Sequence, residues 1–592
     1  SVSAYVHTVL DALNDDANMT TDYLAGLSLR AANPLLEIVN PQGEAIEIHA
    51  WLAAGFSPEM PEPRWQYRLL LIGKAGETLC SEPIKLTQRV DKHGILRWES
   101  LTGKLSLRHA KDGNYKVALE VESASREMRI RREMRPRAGV LLGARTVIMR
   151  DDEHGDTLRY LVHASANPNE THIAVQSGGG RKAARRWSLM LVKKDFRYVL
   201  RRTESRRMRM LRLVRLVTSI LYARRDIWLI GERHATAQDN GLHLFAHLRE
   251  THPNRAVYYV IDKDSPQYDR VRKFGNVVAH SSLRHRLMML HVKVLANAYS
   301  IHYMIPRQWD ANRYAANLAW RVGAVRVYLK HGIHLSPNAV KRGATGYDLC
   351  LTAMPRESEA LRATSGYAEQ VAEVGLPRYD ALTPTPPSRT VLFMSTWRRY
   401  LVPKLFGGDD QVQLEFEGSN YEKFISSFLA SNRLQNILEK HNYRLLFLPH
   451  HNMVPHFDSV QTAGSRVEIA DLNASSIQDL IRQCDAFITD HSSVHFDVAY
   501  VGTPIIYARF DRDEFETKHA SPSWFDYERD GFGPVVYTLE DTLDALERVL
   551  KRGAVQDRFY QSRIDAAFTF KDTSNCARAV AAIDQKVRSL IH

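Results

Sequence analysis

From Asp226 onward the chain alternates short, wholly apolar runs with amphipathic stretches, and that alternation leaves few folds open to it. The runs Ile227 to Ile230, Val257 to Ile261 and Val325 to Leu329 have the length and composition of strands buried on both faces. Between them, His243 to Glu250 and Leu283 to Ala298 carry helical periodicity, so the segment reads as successive βαβ units around a parallel sheet. A second series follows the Pro-rich break Thr383-Pro384-Thr385-Pro386-Pro387. Its strands are expected at Thr390 to Met394, Tyr443 to Leu448, Ala486 to Thr489 and Pro504 to Tyr507, with a helix from about Asn420 to His441. Two doubly wound, Rossmann-like α/β domains of this kind make a cleft, and ligands of such sheets bind beyond the carboxyl ends of the strands.

The part before Asp226 reads differently. A chain of 592 residues predicts roughly three to five structural units. Residues 1–28 look like an N-terminal helical segment, with Val6, Leu10 and Leu13 spaced for one apolar face. Residues 29–178 show short alternating runs, Tyr67 to Ile72, Tyr115 to Val121 and Leu158 to Val162, divided by turn pairs such as Asp112-Gly113; this predicts a β-rich, sandwich-like accessory domain. Gly178, Gly179 and Gly180 then punctuate the chain. The expected order is completed by a basic amphipathic linker at 179–225, an acceptor-side domain at 226–383, and a donor-nucleotide domain with C-terminal helices at 384–592.

The net charge of +13 is local. Between Arg181 and Arg225 there are sixteen Lys or Arg against Asp195 and Glu204, which is +14, so the remaining chain sums to −1. A charge so concentrated implies a local anionic partner. The four cysteines, Cys80, Cys350, Cys484 and Cys576, show no CxxC spacing, which fits a reducing compartment and argues against a structural zinc site. No signal peptide opens the sequence and no apolar run is long enough to span a bilayer, so membrane contact is expected to be peripheral.

Four stretches at the predicted strand ends carry chemistry. Lys330-His331-Gly332-Ile333-His334 places an imidazole and a close-approach glycine just after a strand; His331 suits a general base, or packs at a domain surface. Pro449-His450-His451 follows another strand, with His456 nearby; without a companion carboxylate pair, phosphate contact is favoured over a metal. Thr489-Asp490-His491-Ser492-Ser493 ends a strand where a helix from Val494 to Tyr500 begins, so Asp490, Ser492 and Ser493 form an anion site, an N-cap, or both. Val374 to Leu382 offers Arg378 beside the linker, where an Arg–Asp pair is also a common structural device.

The order HG, then GxPRxDxL, then STWR at Ser395 to Arg398, then PH, then TDxSSxxFDxAxxGxPIIY from Thr489 to Tyr507, with Asp511 to Phe515 following, resembles the CDP-glycerol glycerophosphotransferase family of teichoic acid and capsule polymerases. The resemblance covers roughly Asp226 to Leu550 and implies a GT-B fold and peripheral membrane enzymes that transfer polyol phosphate without a bound metal or cofactor. It implies catalytic roles for His331 and His450 on opposite sides of the cleft, and donor-phosphate binding by Ser492 and Ser493. Gly332, Arg378, Ser395, Thr396, Arg398, Asp490 and Asp497 complete the expected substrate-binding set, Asp497 either orienting the cytidine ribose or pairing with a neighbour. The chain departs from the family pattern at Lys330, where Trp is usual, at Ile333-His334, where Thr-Pro is usual, and at His491, often Tyr. These positions bear on the identity of the polyol.

The expected partners are a CDP-polyol donor, a lipid-linked or polymeric polyol-phosphate acceptor and the anionic inner face of a bacterial membrane, with no nucleic acid. Met210, Val214, Val217 and Leu221 form one helical stripe opposite Arg212, Arg215 and Ser219, the pattern of a lipid-surface anchor; Arg206, Arg209, Arg212 and Arg215 are its expected headgroup contacts. A solvated helix packed on the next domain is the alternative. Competing readings of the whole are a nucleotide-sugar glycosyltransferase on the same fold and a non-catalytic lipid- or nucleic-acid-binding protein.

Overall fold

The computed structural model describes residues 34–591, except for 43, 54–64, 85, 91–95, 124–128, 151–156, 165–169, 201–204, 223–224, 337–339, 399, 402–415, 451–452, 458–461, 463, 471–475 and 519–522. The helix expected at 1–28 lies outside the described residues. From Leu35 to Ser177 the chain forms two β-sheets of five and seven strands, antiparallel except for one short parallel pairing. Their facing sides share one core: Ile46, Ile48, Leu101 and Leu105 from one sheet meet Leu69, Leu71, Val117 and Tyr160 from the other. The period-2 pattern of the sequence is what this requires, since each sheet buries one face.

The short helix Ala138–Leu142 fastens this β-rich unit to the next. Leu141 and Leu142 enter the core of the first parallel-sheet unit, and a Cβ on Gly139 would stand 2.2 Å from the carbonyl of Arg342. No larger side chain fits so close a backbone approach. Helices α1 (Gly180–Leu200) and α2 (Arg206–Tyr222) follow. Trp187 and Tyr198 of α1 pack with Leu161 and Ala174 of the β-rich unit and with Trp320 of the next, so the basic segment is built into the body of the protein.

The first parallel sheet comprises β1 (Trp228–Gly231), β2 (Val257–Ile261), β3 (Val277–Ala279), β4 (Val294–Asn297), β5 (Val325–Tyr328), β6 (Leu349–Thr352) and β7 (Val371–Glu373), in the order β3-β2-β1-β4-β5-β6-β7. The second comprises β8 (Thr390–Met394), β9 (Arg444–Leu448), β10 (Val467–Ile469), β11 (Ala486–Thr489), β12 (Ile505–Ala508) and β13 (Val535–Val536), in the order β10-β9-β8-β11-β12-β13. Each is a doubly wound sheet whose strand order reverses once, between β1 and β4 and between β8 and β11, and such reversals open a crevice at the strand ends.

Two sequence expectations change here. The helix expected from Leu283 to Ala298 stops at Met289, and Val294–Asn297 is the fully buried strand β4 between β1 and β5. The helix expected from Asn420 to His441 is two, α3 (Asn420–Leu429) and α4 (Asn432–His441), because Ser431 caps the second by accepting from the Leu434 N–H at 3.3 Å.

Helix α5 (Asn575–Ile591), counted in sequence with the second unit, packs on the first: Ala579, Val580 and Ile583 share a core with Trp228, Val257 and Val325. The GxPRxDxL segment directs it there. Asp380 accepts from the N–H groups of Asn575 and Cys576 at 2.7 and 2.8 Å, and Gly375 (φ +82°) lies where a Cβ would be 1.7 Å from Asn575 Oδ1. Replacing Asp380 by Ala removes this cap at a cost of about 1–2 kcal/mol, so Tm in a calorimetric scan should fall by roughly 2–8 °C. An unchanged Tm would show that α5 is held by apolar packing alone.

Candidate active site

The carboxyl ends of the two sheets meet at Arg378, in the 3-10 turn Pro377–Ala381. Its guanidinium donates to Asp239 Oδ1 at 2.6 Å, to the His331 carbonyl at 2.8 Å, and to both oxygens of Asp497 at 2.8 and 2.7 Å. Asp239 caps helix α6 (Asn240–Thr251) of the first unit by accepting from the Asn240 N–H, and Asp497 sits in helix α7 (His495–Val501) of the second. One buried cation therefore ties the two units together and fixes the backbone of His331. Burial raises the Asp497 pKa against the pull of Arg378, because one cation is shared by two carboxylates. Arg378 thus acts as a clamp in this structure, where a phosphate ligand was expected, and Asp497 pairs with it, the second of the two uses expected for it.

His331 follows β5 through Lys330, whose backbone is left-handed (φ +62°). That turn sends the Lys330 side chain inward to a buried ion pair with Glu357 and leaves the His331 ring facing solvent. The imidazole stacks on Tyr299 at 4.7 Å and 7°, with His334 at 4.9 Å. It is deep in the cleft yet open on its own face. The surrounding protein lowers its pKa, with Arg378, Arg233 and Lys330 adding to the effect against Asp239; water at the exposed face tempers the desolvation without reversing its sign. At neutral pH the ring is a free base.

Gly332 faces the second unit. A Cβ placed there would lie 3.6 Å from Arg378 Nη2 and 3.8 Å from Ser493 Oγ, so the HG and SS segments lie close to each other across the cleft. Ser492 and Ser493 are half-buried on the turn before α7, Ser492 accepting from the Val494 N–H at 3.3 Å. Helix α7 has only seven residues, so any anion binding here rests on the hydroxyls more than on a helix dipole. His450, beyond β9, stacks on Trp397 at 5.9 Å and 13°. Because β9 and β11 both flank β8, the His450, Thr396 and Ser492 segments emerge on one sheet edge.

The other expected contacts are internal. Asp490 is fully buried and accepts from the Thr396 N–H at 2.9 Å and from its hydroxyl at 2.8 Å, while pairing with Arg398 at 2.8 Å. Arg398 has no solvent surface and also pairs with Asp511 at 2.6 Å. Ser395 shares a hydrogen bond of 2.6 Å with Tyr421. Burial opposes ionisation of Asp490, and Arg398 overcomes it to leave the pKa low. Ser395, Arg398 and Asp490 are buried and, with the half-exposed Thr396, shape this loop through internal contacts, where substrate contact was expected. Asp239, Tyr299 and Glu357 went unread in sequence, and Asp511 was read only as part of the stretch following the last motif; of the first three only Asp239, directly before a helix, carried a local signal, that of an N-cap.

The lipid-anchor residues are also rearranged. Arg212 is buried, donates to Asp195 at 2.7 Å and lies 4.1 Å from the Tyr198 ring centre. Arg215 donates to the Leu290 and Arg321 carbonyls at 3.1 and 3.2 Å, and burial lowers its pKa to about 10. Both arginines face the protein. Arg206 is exposed and Arg209 half-buried, whereas Val217, Ile220 and Leu221 are 73%, 85% and 71% exposed. Of the expected apolar stripe Met210, Val217 and Leu221 are exposed and Val214 packs on the protein, while Arg212 and Arg215 turn inward to Asp195 and to two backbone carbonyls.

Two reversed-order parallel sheets meeting across a cleft, with polar loops at both strand-order reversals, define a GT-B transferase fold. The sequence profile described as CDP-glycerol:poly(glycerophosphate) glycerophosphotransferase matches residues 212–585. The chain belongs to that family. It is 28% identical over 380 residues to the minor teichoic acid biosynthesis protein GgaB of Bacillus subtilis (strain 168), covering 63% of this chain and 41% of that protein. It is 27% identical over 161 residues to the teichoic acid poly(glycerol phosphate) polymerase of the same organism, covering 27% of this chain and 19% of that one. The chain thus spans less than half the length of these curated relatives. A solved structure of the wall teichoic acid polymerase TagF superposes with a TM-score of 0.45 at 15% identity, covering 69% of this chain and 99% of that one.

Replacing Arg378 by Met leaves two carboxylates buried without their cation, which costs about 3–5 kcal/mol, so Tm should drop sharply. Adding Asp497→Asn should restore part of that loss without restoring turnover. A Tm for R378M equal to that of the parent would show that the clamp is not what joins the units.

Proposed function

We propose that this chain transfers a polyol phosphate, glycerol phosphate first among the candidates, from a CDP-activated donor to a hydroxyl of a teichoic-acid-like or capsular polymer, releasing CMP. The observation that carries this reading is the close approach of Gly332 to Ser493 across the cleft, with the exposed His331 next to it in the chain. Family membership and the names of the relatives supply the substrate class. The acceptor oxygen attacks the phosphorus bearing the polyol and its proton passes to the His331 imidazole. The new P–O bond forms as the bond to the bridging oxygen breaks, and CMP leaves with that oxygen and the electron pair. His450 and the hydroxyls of Ser492 and Ser493 stabilise charge on the diphosphate.

With CDP-glycerol, CDP-ribitol and a panel of nucleotide sugars, release of CMP from a CDP-polyol is the expected turnover; release of a nucleoside diphosphate would favour sugar transfer. His331→Ala and His450→Ala should each lower turnover by at least about a hundredfold. A base must be neutral to act, and the His331 pKa lies below 6.5, so the acidic limb of kcat/KM should fall below that pH. Full activity of both variants, or a limb above pH 6.5, would overturn the assignment.

Peripheral binding to an anionic membrane is part of the same proposal, through the apolar side of α2 expected in sequence but with other cations than Arg212 and Arg215. Leu189, Phe196 and Leu200 of α1 and Met210, Val217, Ile220 and Leu221 of α2 are all exposed, and Lys182, Arg185, Arg186, Arg206 and Arg207 stand around them in solvent. An exposed apolar face with a cationic border suits the headgroup boundary, each charge adding about 1 kcal/mol. Among the described residues no helix is long and apolar enough to cross a membrane. The triple change Val217→Ser, Ile220→Ser and Leu221→Ser should abolish sedimentation with phosphatidylglycerol vesicles while turnover of a short soluble acceptor persists. Unchanged sedimentation would send the search for the anchor elsewhere.

A further inference from the structure

The strand-order reversal of the first sheet carries a cation that the reaction so far does not use. Beyond β1, buried Glu232 accepts from the N–H groups of Gln238, Asp239 and Leu242 at 3.0, 2.8 and 3.0 Å, which holds the loop in one shape. Beyond β4, Asn297 accepts from the Tyr299 and Ser300 N–H groups at 2.7 and 2.8 Å and donates to the Glu232 carbonyl at 2.8 Å. The two strand ends are thus locked together, and Arg233 and Tyr299 project from them. Arg233 is exposed, and its guanidinium carbon lies 4.5 Å from the Tyr299 ring centre. Tyr299 in turn stacks on His331 at 4.7 Å. The guanidinium is therefore within about 9 Å of the imidazole centre, these two separations laid end to end. Among the described residues no carboxylate pairs with Arg233, whereas Arg307 on the same rim is held by Asp262 at 2.6 Å.

We propose that Arg233, seated on Tyr299, binds the phosphodiester of the acceptor's last repeat and so selects acceptors that already end in a polyol phosphate. The inference rests on the polyol-phosphate transfer reading above. From its terminal hydroxyl oxygen to the phosphorus of the next ester, a three-carbon polyol spans about 6 Å when extended, by ordinary single-bond lengths. With hydrogen-bond reach of about 3 Å at the hydroxyl end, that length fits between His331 and Arg233. A guanidinium stacked on an aromatic ring keeps its planar edge free for two phosphate oxygens. The phosphate could also arrive on the donor. The acceptor is favoured because Arg233 stands on the first unit at its own strand-order reversal, while the hydroxyls assigned to the donor stand on the second.

The test compares glycerophosphoglycerol with glycerol as soluble acceptors, with CDP-glycerol as donor. In the parent enzyme kcat/KM should strongly favour glycerophosphoglycerol. In Arg233→Gln that preference should fall roughly ten- to a hundredfold through the acceptor KM, as expected for loss of a charge-assisted contact, with the KM for CDP-glycerol shifted less than twofold. Arg233→Lys, which keeps the charge and loses the planar fork, should fall between them. An unchanged acceptor preference in Arg233→Gln, or a rise confined to the donor KM, would overturn the proposal while leaving the reaction standing. Absence of CMP release by the parent enzyme with either acceptor would instead sink the reaction itself. A matching circular dichroism spectrum and Tm for Arg233→Gln would exclude misfolding as the source of any change.

Discussion

Everything at the cleft depends on a single guanidinium shared by two carboxylates from different halves of the molecule. Arg378 binds Asp239 and Asp497 and also the carbonyl of His331, so the contact that closes the cleft is the contact that fixes the His331 backbone. Its Nε is buried without a hydrogen-bond partner, and Asp497 titrates high. Such a cluster gains less stability than its contacts suggest, because desolvation offsets much of the Coulomb attraction. What it supplies is registry: with the two units apart, buried charges would be left unpaired and the His331 backbone would lose its anchor.

The second unit repeats the device. Arg398, with Asp490 and Asp511, forms a sealed ion network under the Thr396 and His491 segments, and Lys330 with Glu357 does the same under His331. Most charged residues of the recognisable segments are therefore scaffolding. His331, Ser492, Ser493 and Arg233 keep solvent exposure outside these networks. For the phosphoryl transfer proposed above such an arrangement is favourable, since buried ion pairs hold neighbouring groups still without competing for a phosphate.

Both doubly wound sheets were legible because their strands, buried on both faces, print as continuous apolar runs at Val257 to Ile261 or Ala486 to Thr489. Strand β4 was hidden for the same reason: Val294–Asn297 follows a helix so closely that its apolar residues continue the helical period, and Tyr299 was lost with it. His331, His450, Ser492 and Ser493 were readable from local spacing. Whether Arg378, Arg398 and Asp490 face the cleft or each other was not, because their charged partners lie from 92 to 139 residues away and no local pattern encodes burial. The inward turn of Arg212 has that cause too, since Asp195 and Tyr198 stand on another helix.

Helix α5 has a bearing on how the protein is made. Its residues Ala579, Val580 and Ile583 complete an apolar layer of the first unit whose last strand ends at Glu373. A ribosome adding 5–20 residues per second takes on the order of 10–40 s to cover the roughly 200 residues between. Through that interval the outer face of Trp228, Val257 and Val325 is built but uncovered. Translation therefore cannot finish the first unit before the second has emerged, and the nascent chain carries a sticky surface that invites chaperones until its own final helix arrives.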